Sequence, residues 1–253
     1  TIEVVDRLVN QYGFHDLKVL APEWFDGAET PEMAHYLDDM AAEIRRRGLA
    51  DVFVFHGWLP HRLMPEYYSL GGVTLVLGSF VEAFGNSAYE SLGCGTPAIV
   101  SRVSSNRRIL PDDLIDKVHF DDHAAAAACA AAILGDRRRT SPETLAYLRR
   151  HYSVADQLDA FADAILNATK TPPMRYRLDP LKPTARFALA PWCDLWGDRV
   201  YHDYHGVHVE DAPLARLVRS FPDGFSRADA VAAGCDEAAV LKWRRGGYLR
   251  QVL

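Results

Sequence analysis

The chain has 253 residues, of which 49% are hydrophobic and 25% charged, an ordinary globular mix long enough for two domains with cores of their own. A net charge of -6 and a pI near 5.9 argue against a general nucleic-acid binder, which favours a basic surface. No run of about 18 apolar residues offers a membrane span.

The chain opens inside an amphipathic helix over 1–12, with Ile2, Val5, Leu8 and Val9 on one face. Leu17 to Ala21 reads as a short buried strand, followed by a loop rich in Pro, Gly and acidic residues. Residues 31–47 are helical, opened at Thr30 or Pro31 and closed by Gly48. Val52 to Phe55 is a second strand, Met64 to Leu70 a short helix and Val73 to Leu77 a third strand flanked by glycines. A helix begins near Asn86 or Ser87. Ala98 to Val100 is a fourth strand, and Val118 and Phe120 mark a short fifth. Helices follow at 123–134, 141–150 and 153–168. Strands alternating with helices imply an α/β fold with a Rossmann-like, doubly wound parallel sheet over 1–170. Ligands of such sheets sit beyond the carboxyl ends of the strands.

Composition changes near 170. Residues 171–186 hold four prolines and read as a linker. Residues 187–253 are expected to form a small, mostly helical, winged-helix-like domain. Val200 to Val209 reads as one strand there, followed by helices at 213–220, 227–233 and 237–244 and a short strand at 248–252. Lys242, Arg244, Arg245 and Arg250 give this region basic character, but Asp223, Asp229, Asp236 and Glu237 offset it. Packing or partner docking is therefore expected there rather than nucleic-acid binding.

Two other clusters read as structural. On a single strand, His202 and His208 would share one face about 20 Å apart, and Asp203 and His205 the other, so no three converge on a metal. The runs Arg45 to Arg47 and Arg137 to Arg139 sit near helix ends, where cations suit the dipole. Cys94, Cys129, Cys193 and Cys235 are dispersed, with no C-x-x-C, as expected of a reducing, cytoplasmic setting.

The specific chemistry lies between His56 and Val100, centred on 79–97: Ser-Phe-Val-Glu-Ala-Phe-Gly-Asn-Ser-Ala-Tyr-Glu-Ser-Leu-Gly-Cys-Gly-Thr-Pro. A buried strand runs into a loop containing Glu82 and Gly85, and a helix then begins. The first turn of that helix carries unpaired N–H groups and the positive end of the dipole, and Gly85 lets a ligand approach the backbone. That combination suits a phosphate. Glu82 is placed for a hydroxyl near the phosphates. Glu90, about one turn into the helix, is placed for a pair of hydroxyls on the far side. A ligand with a sugar, a diphosphate and a ribose would meet all three features.

Glu82 and Glu90 have seven residues between them, with Phe-Gly after the first and Gly-Thr-Pro after the second. This block resembles the E-x7-E motif of retaining, family 4 glycosyltransferases of GT-B fold, specifically their C-terminal donor-binding domain. The turn at His56-Gly57, the helix with Tyr67 and Tyr68, and His151-Tyr152-Ser153 opening a last helix extend the resemblance over about 1–168. The resemblance implies transfer of a sugar from a nucleoside diphosphate sugar to a glycan, lipid or small-molecule acceptor, with no tightly bound cofactor or metal. It implies that Glu82 contacts the donor sugar. Phe84, Gly85 and Asn86 would offer backbone N–H groups to the sugar and distal phosphate, and Glu90 would hold the ribose. Gly57, Trp58 and Leu59 would line the base pocket, and Thr96 would sit near the phosphates by its backbone.

The block departs from the family pattern in Ala83 for the commoner Gly and Gly78 for the commoner Pro. The family also carries an Arg and a Lys on a strand that would precede Thr1, and an N-terminal acceptor domain. That half is expected in the same gene or a partner chain, and membrane association is expected only through it. The isolated chain is expected to be inactive. The alternatives are a nucleotide-binding regulatory module without catalysis, or a GT-B nucleotide-sugar epimerase or phosphorylase, which the complete E-x7-E block disfavours.

Overall fold

The computed structural model describes residues 1–22, 30–78, 84–108, 110–170 and 184–252. These divide into two compact units: Thr1–Leu77, Asn86–Val100 and Pro111–Ala146 make the first, and Gly78–Gly85, Ser101–Leu110 and Tyr147–Leu253 the second.

The first unit alternates strand and helix. Its elements are α1 (Ile2–Asn10), β1 (Val19–Pro22), α2 (Pro31–Arg46), β2 (Phe53–His56), α3 (Met64–Leu70), β3 (Thr74–Val76), α4 (Asn86–Gly93), β4 (Ala98–Ser101), β5 (Asp116–Val118) and α5 (His123–Gly135). Helix α6 (Pro142–His151) follows. β1 and β2 pair in parallel, Val19 opposite Phe53. β3, β4 and β5 form a separate sheet in that order, with β3 and β4 parallel and Thr74 opposite Ala98. All four residues of β4 are buried, as expected for a strand covered on both faces.

Helix α1 serves both half-sheets. Val4 and Leu8 pack with Ile99 and Val118 and with Ala126, Ala127 and Ala130 of α5. The alanines, having almost no side chain, let the two helices approach closely. Val5 packs instead with Ile44, Leu49 and Val52, beside Val19 and Phe53. Asp122 caps α5 by accepting from the Ala125 amide at 2.9 Å. Arg47, read from sequence as a solvated helix-end cation, ties α2 to α1: it reaches Glu3 at 2.5 Å, Asp6 at 2.7 Å and Glu43 at 2.5 Å. Arg46 and Arg47 hold the Glu43 carboxyl at about 2.

The second unit contains α7 (Val154–Leu166), then β6 (Arg186–Leu189), β7 (Cys193–Trp196), β8 (Arg199–His202), β9 (Val207–Glu210), α8 (Ala212–Ser220), β10 (Phe225–Ser226), α9 (Arg227–Ala232), α10 (Glu237–Arg245) and β11 (Leu249–Val252). Strands thus accompany the expected helices. The segment 200–209 is not one strand. β8 and β9 fold back as an antiparallel hairpin with Tyr201 opposite His208, turning through Gly206 at φ +67°. His202 stands opposite Val207, beside His208 rather than about 20 Å from it, and the rings of His202 and His205, expected on opposite faces, stack at 3.9 Å.

A second antiparallel sheet, β10-β6-β11, covers a core of Phe187, Val200, Leu214, Leu217, Phe225, Val240 and Leu249. Asp211 accepts from the Leu214 amide at 3.1 Å and from Trp243 Nε1 at 2.7 Å, so one carboxylate caps α8 and anchors α10. Ser226 and Asp229 form a capping box on α9. Gly224 leads into β10 at φ +102°, and a Cβ there would meet the Phe187 carbonyl oxygen at 2.9 Å. Gly224→Ala combines a left-handed backbone with a clash against another strand. It is expected to cost about 1–3 kcal/mol in denaturant unfolding.

The segment Ser101–Leu110 belongs with this second unit through one buried carboxylate. Asp203, 5% exposed, accepts from Arg107 Nη1 at 2.8 Å and from the Ser104 amide at 3.1 Å, and Arg107 Nη2 also reaches it. Arg107 donates further to the carbonyls of Arg102 at 2.7 Å and Pro191 at 3.2 Å.

Candidate functional site

A cavity of about 850 Å³ in the first unit runs along β1 and β3 and extends to the carboxyl ends of β1 and β2. His56, Trp58, Leu59, His61, Tyr67, Tyr68, Ser87 and Glu90 are among the residues that line it. Glu90 reaches it from the second turn of α4. The sequence around α4 explains its placement. Gly85, at φ +78°, makes the turn into the helix, a conformation an L side chain adopts at a cost. Ala88, Ser91 and Leu92 are buried and fix the helix face, leaving Asn86 and Ser87 exposed at its head.

Tyr68 holds Glu90. Its hydroxyl donates to Glu90 Oε2 at 3.1 Å, while the residue itself is 7% exposed. Burial pushes the phenol up to about 12, so it stays protonated and donating throughout the neutral range. Also in the lining, His56 has its Nδ1 2.8 Å from the Gly57 carbonyl oxygen, which can only accept. Nδ1 therefore donates there, while Nε2 lies 3.0 Å from the Tyr67 hydroxyl, which is also within 3.3 Å of the Leu20 carbonyl oxygen. Burial raises the Tyr67 phenol as well.

The expected residues do not all meet at the cavity. Leu59 and Glu90 line the cavity together with Trp58, which is 74% exposed. Gly85 and Asn86 stand at the head of α4. Gly57 is absent from the lining and serves as the acceptor for His56. Phe84 lies in the second unit, its ring edge-on to Tyr152 at 5.8 Å. Glu82 lies outside the described residues. Thr96 is fully buried; its amide donates to the Ser91 carbonyl at 3.0 Å and its hydroxyl to the Tyr68 carbonyl at 2.7 Å. Its backbone donor is therefore spent on closing α4, and its side chain on fastening α3. No group of three or more His, Cys, Asp or Glu among the described residues is placed to hold a metal. No helix among them is long and apolar enough to cross a membrane.

Residues 34–147 match the family model described as Glycosyl transferases group 1. This segment is similar to group 1 glycosyltransferases. The chain is 34% identical over 100 residues to a 2-deoxystreptamine N-acetyl-D-glucosaminyltransferase of Streptomyces fradiae, covering 37% of this chain and 24% of that protein. It is 30% identical over 142 residues to a D-inositol 3-phosphate glycosyltransferase of Xylanimonas cellulosilytica, covering 54% of this chain and 33% of the relative. The chain thus spans a quarter to a third of these curated relatives.

Among solved structures, the Anabaena protein HepE in complex with UDP superposes with a TM-score of 0.57 at 14% identity, over 66% of this chain and 44% of that one. The C-terminal domain of a glycosyl transferase group 1 family protein from Francisella tularensis superposes with a TM-score of 0.50 at 16% identity, over 60% of this chain and 79% of that one. At these identities the likeness establishes the fold alone: the matched part has the Rossmann-like fold of a portion of GT-B structures.

Tyr68 had no role assigned from sequence, although the tyrosine pair at the end of α3 was visible. Its signal was an aromatic hydroxyl on a buried helix face, which needs an acceptor. Tyr68→Phe is expected to leave the thermal midpoint within a few degrees while weakening nucleoside diphosphate binding about 3- to 10-fold, because Glu90 loses its orienting donor. Calorimetric titration of both forms checks this.

Proposed function

We propose that this chain is the nucleotide-sugar-binding half of a retaining, family 4-like glycosyltransferase. The observation that carries the reading is the pairing of an open helix head with a braced carboxylate: α4 begins at a positive-φ glycine, and Glu90, held by Tyr68, faces a cavity at the strand ends. Backbone N–H groups at Gly85 and Asn86 would receive the diphosphate, aided by the helix dipole. Glu90 would accept the two ribose hydroxyls, and the wall at Trp58 and Leu59 would receive the base. Glu82 would address the donor sugar.

In this reading the chain's contribution to catalysis is electrostatic. Charge accumulates on the departing diphosphate as the glycosidic bond breaks, and prearranged donors at the head of α4 stabilise it. Two features support a nucleotide as the ligand. The structural neighbour HepE is a complex with UDP, and the dimensions of the cavity fall within the range of small-molecule sites. The acceptor half would come from further polypeptide, in keeping with the 44% of HepE that the chain covers.

Calorimetric titration with UDP, GDP, ADP and TDP tests the proposal. One diphosphate should bind in preference to the others, and its identity names the base. Silence with all four at millimolar concentration, in this chain and in a form carrying the further polypeptide, would sink the reading.

A further inference from the structure

The wall at Trp58 and Leu59 is a stretch of loop with little packing of its own. It leaves β2 at Gly57, which has no side chain to anchor it, and Trp58 is 74% exposed. Regular backbone structure resumes only in the turn His61–Leu63, where Leu63 donates to the Pro60 carbonyl at 2.8 Å. Among the described residues, the bond that His56 Nδ1 donates to the Gly57 carbonyl at 2.8 Å is the one hydrogen bond holding the Gly57–Trp58 peptide. A peptide unit is planar, so fixing that carbonyl also fixes the direction of the Trp58 N–H and of the chain that carries the indole.

The His56 ring is itself held from two other elements. Its Nε2 lies 3.0 Å from the Tyr67 hydroxyl of α3, and that hydroxyl lies 3.3 Å from the Leu20 carbonyl oxygen of β1. The His56 and Tyr67 rings also meet edge-on, with centroids 5.1 Å apart at 63°. Whichever way the hydroxyl turns, Nδ1 keeps its own acceptor. The next residue of α3, Tyr68, projects about 100° further round the helix and holds Glu90. Consecutive phenols of one helix thus brace two parts of the cavity lining, one through His56 and one directly.

We propose that His56 is a positioning residue for base recognition: through its bond to Gly57 it holds Trp58 and Leu59 in the arrangement that selects the base. The proposal rests on the donor-site reading for the identity of the ligand. A loop free to drift would accommodate different bases about equally. A preorganised loop loses less conformational entropy on binding and keeps a preference for the base that fits it. His56 acts through the loop and not on the reacting atoms.

Three variants of the whole chain separate the roles of the two ring nitrogens. The amide nitrogen of asparagine stands as many bonds from Cα as Nδ1 does, and that of glutamine as many as Nε2. His56→Asn therefore keeps a donor for Gly57, His56→Gln keeps a partner for Tyr67, and His56→Leu keeps neither. The first readout needs no ligand: amide nitrogen relaxation at Trp58 and Leu59. Order parameters of about 0.85 are expected in the parent and asparagine forms, and below about 0.6 in the glutamine and leucine forms. Equal order in all four proteins, or loss of order in the asparagine form, overturns the proposal.

The second readout is calorimetric titration with UDP, GDP, ADP and TDP. The preferred diphosphate should bind the glutamine and leucine forms about 3- to 10-fold more weakly, and its margin over the others should shrink accordingly, while the asparagine form keeps both. An unchanged margin in the glutamine and leucine forms, whether or not affinity falls, marks a merely structural role and overturns the proposal. If the leucine form fails to fold, the asparagine and glutamine forms, both polar and near histidine in size, carry the comparison. Silence of the parent with all four diphosphates would overturn the donor-site reading and leave the relaxation result to decide whether His56 holds the loop.

Discussion

Glu90→Ala is expected to weaken nucleoside diphosphate binding about 10- to 100-fold. A carboxylate accepting two ribose hydroxyls makes charge-assisted hydrogen bonds, worth about 1.5–3 kcal/mol in such comparisons, and each 1.4 kcal/mol is about a factor of ten. The alanine variant also removes the acceptor of the buried Tyr68 hydroxyl. Some loss of stability, about 1–3 kcal/mol, should accompany the loss of affinity. Glu90→Gln separates the two effects: an amide oxygen still accepts from Tyr68, but the negative charge is gone. The glutamine variant should therefore melt near the parent and bind with intermediate affinity. Calorimetry on all three proteins checks the order. Equal affinity in all three would remove Glu90 from the ligand site.

Asp203→Ala should destabilise the second unit by about 3–5 kcal/mol, the usual cost of leaving one partner of a buried ion pair alone. The side chains of Arg107 and Asp203 are 7% and 2% exposed, so water cannot readily replace the lost carboxylate. The Ser104 amide loses its acceptor at the same time. Trp192, Trp196 and Trp243 all lie in this unit, and fluorescence-detected denaturant unfolding reports on it. Replacing both charges, as in Arg107→Met with Asp203→Leu, should recover much of the loss, because no uncompensated charge remains. A loss under about 1 kcal/mol in the single variant would mean that the pair behaves as an exposed one.

The alternating pattern of the first unit was legible because its strands are short apolar runs punctuated by glycine and proline. Met64–Leu70 and Ala98–Ser101 stand where periodicity puts them. The head of α4 was legible for the same local reason: a glycine followed by Asn-Ser is turn and helix-start chemistry. What escaped depended on distance along the chain. Tyr68 and Glu90 are 22 residues apart, and Arg107 and Asp203 are 96 apart. No periodicity links such pairs. The burial of Thr96 escaped because a Gly-Thr-Pro turn gives the same local signal whether its threonine faces a ligand or the interior. The hairpin in 200–209 was missed because its turn residues, Asp203 to Gly206, sit among aromatic and histidine residues that suit a strand equally well.

The bond between Arg107 and Asp203 bears on how this polypeptide can be rearranged by recombination. Pro-rich residues 171–186 look like a natural seam, yet the loop after β4 is fastened to a turn beyond that seam by a buried charge pair. A crossover within 171–186 that grafts an unrelated module would strand a cationic side chain in the upstream sequence, and a grafted C-terminal module would carry a stranded anion to its new host. The two segments are therefore expected to be inherited together, with any change at one charge followed by a compensating change at the other.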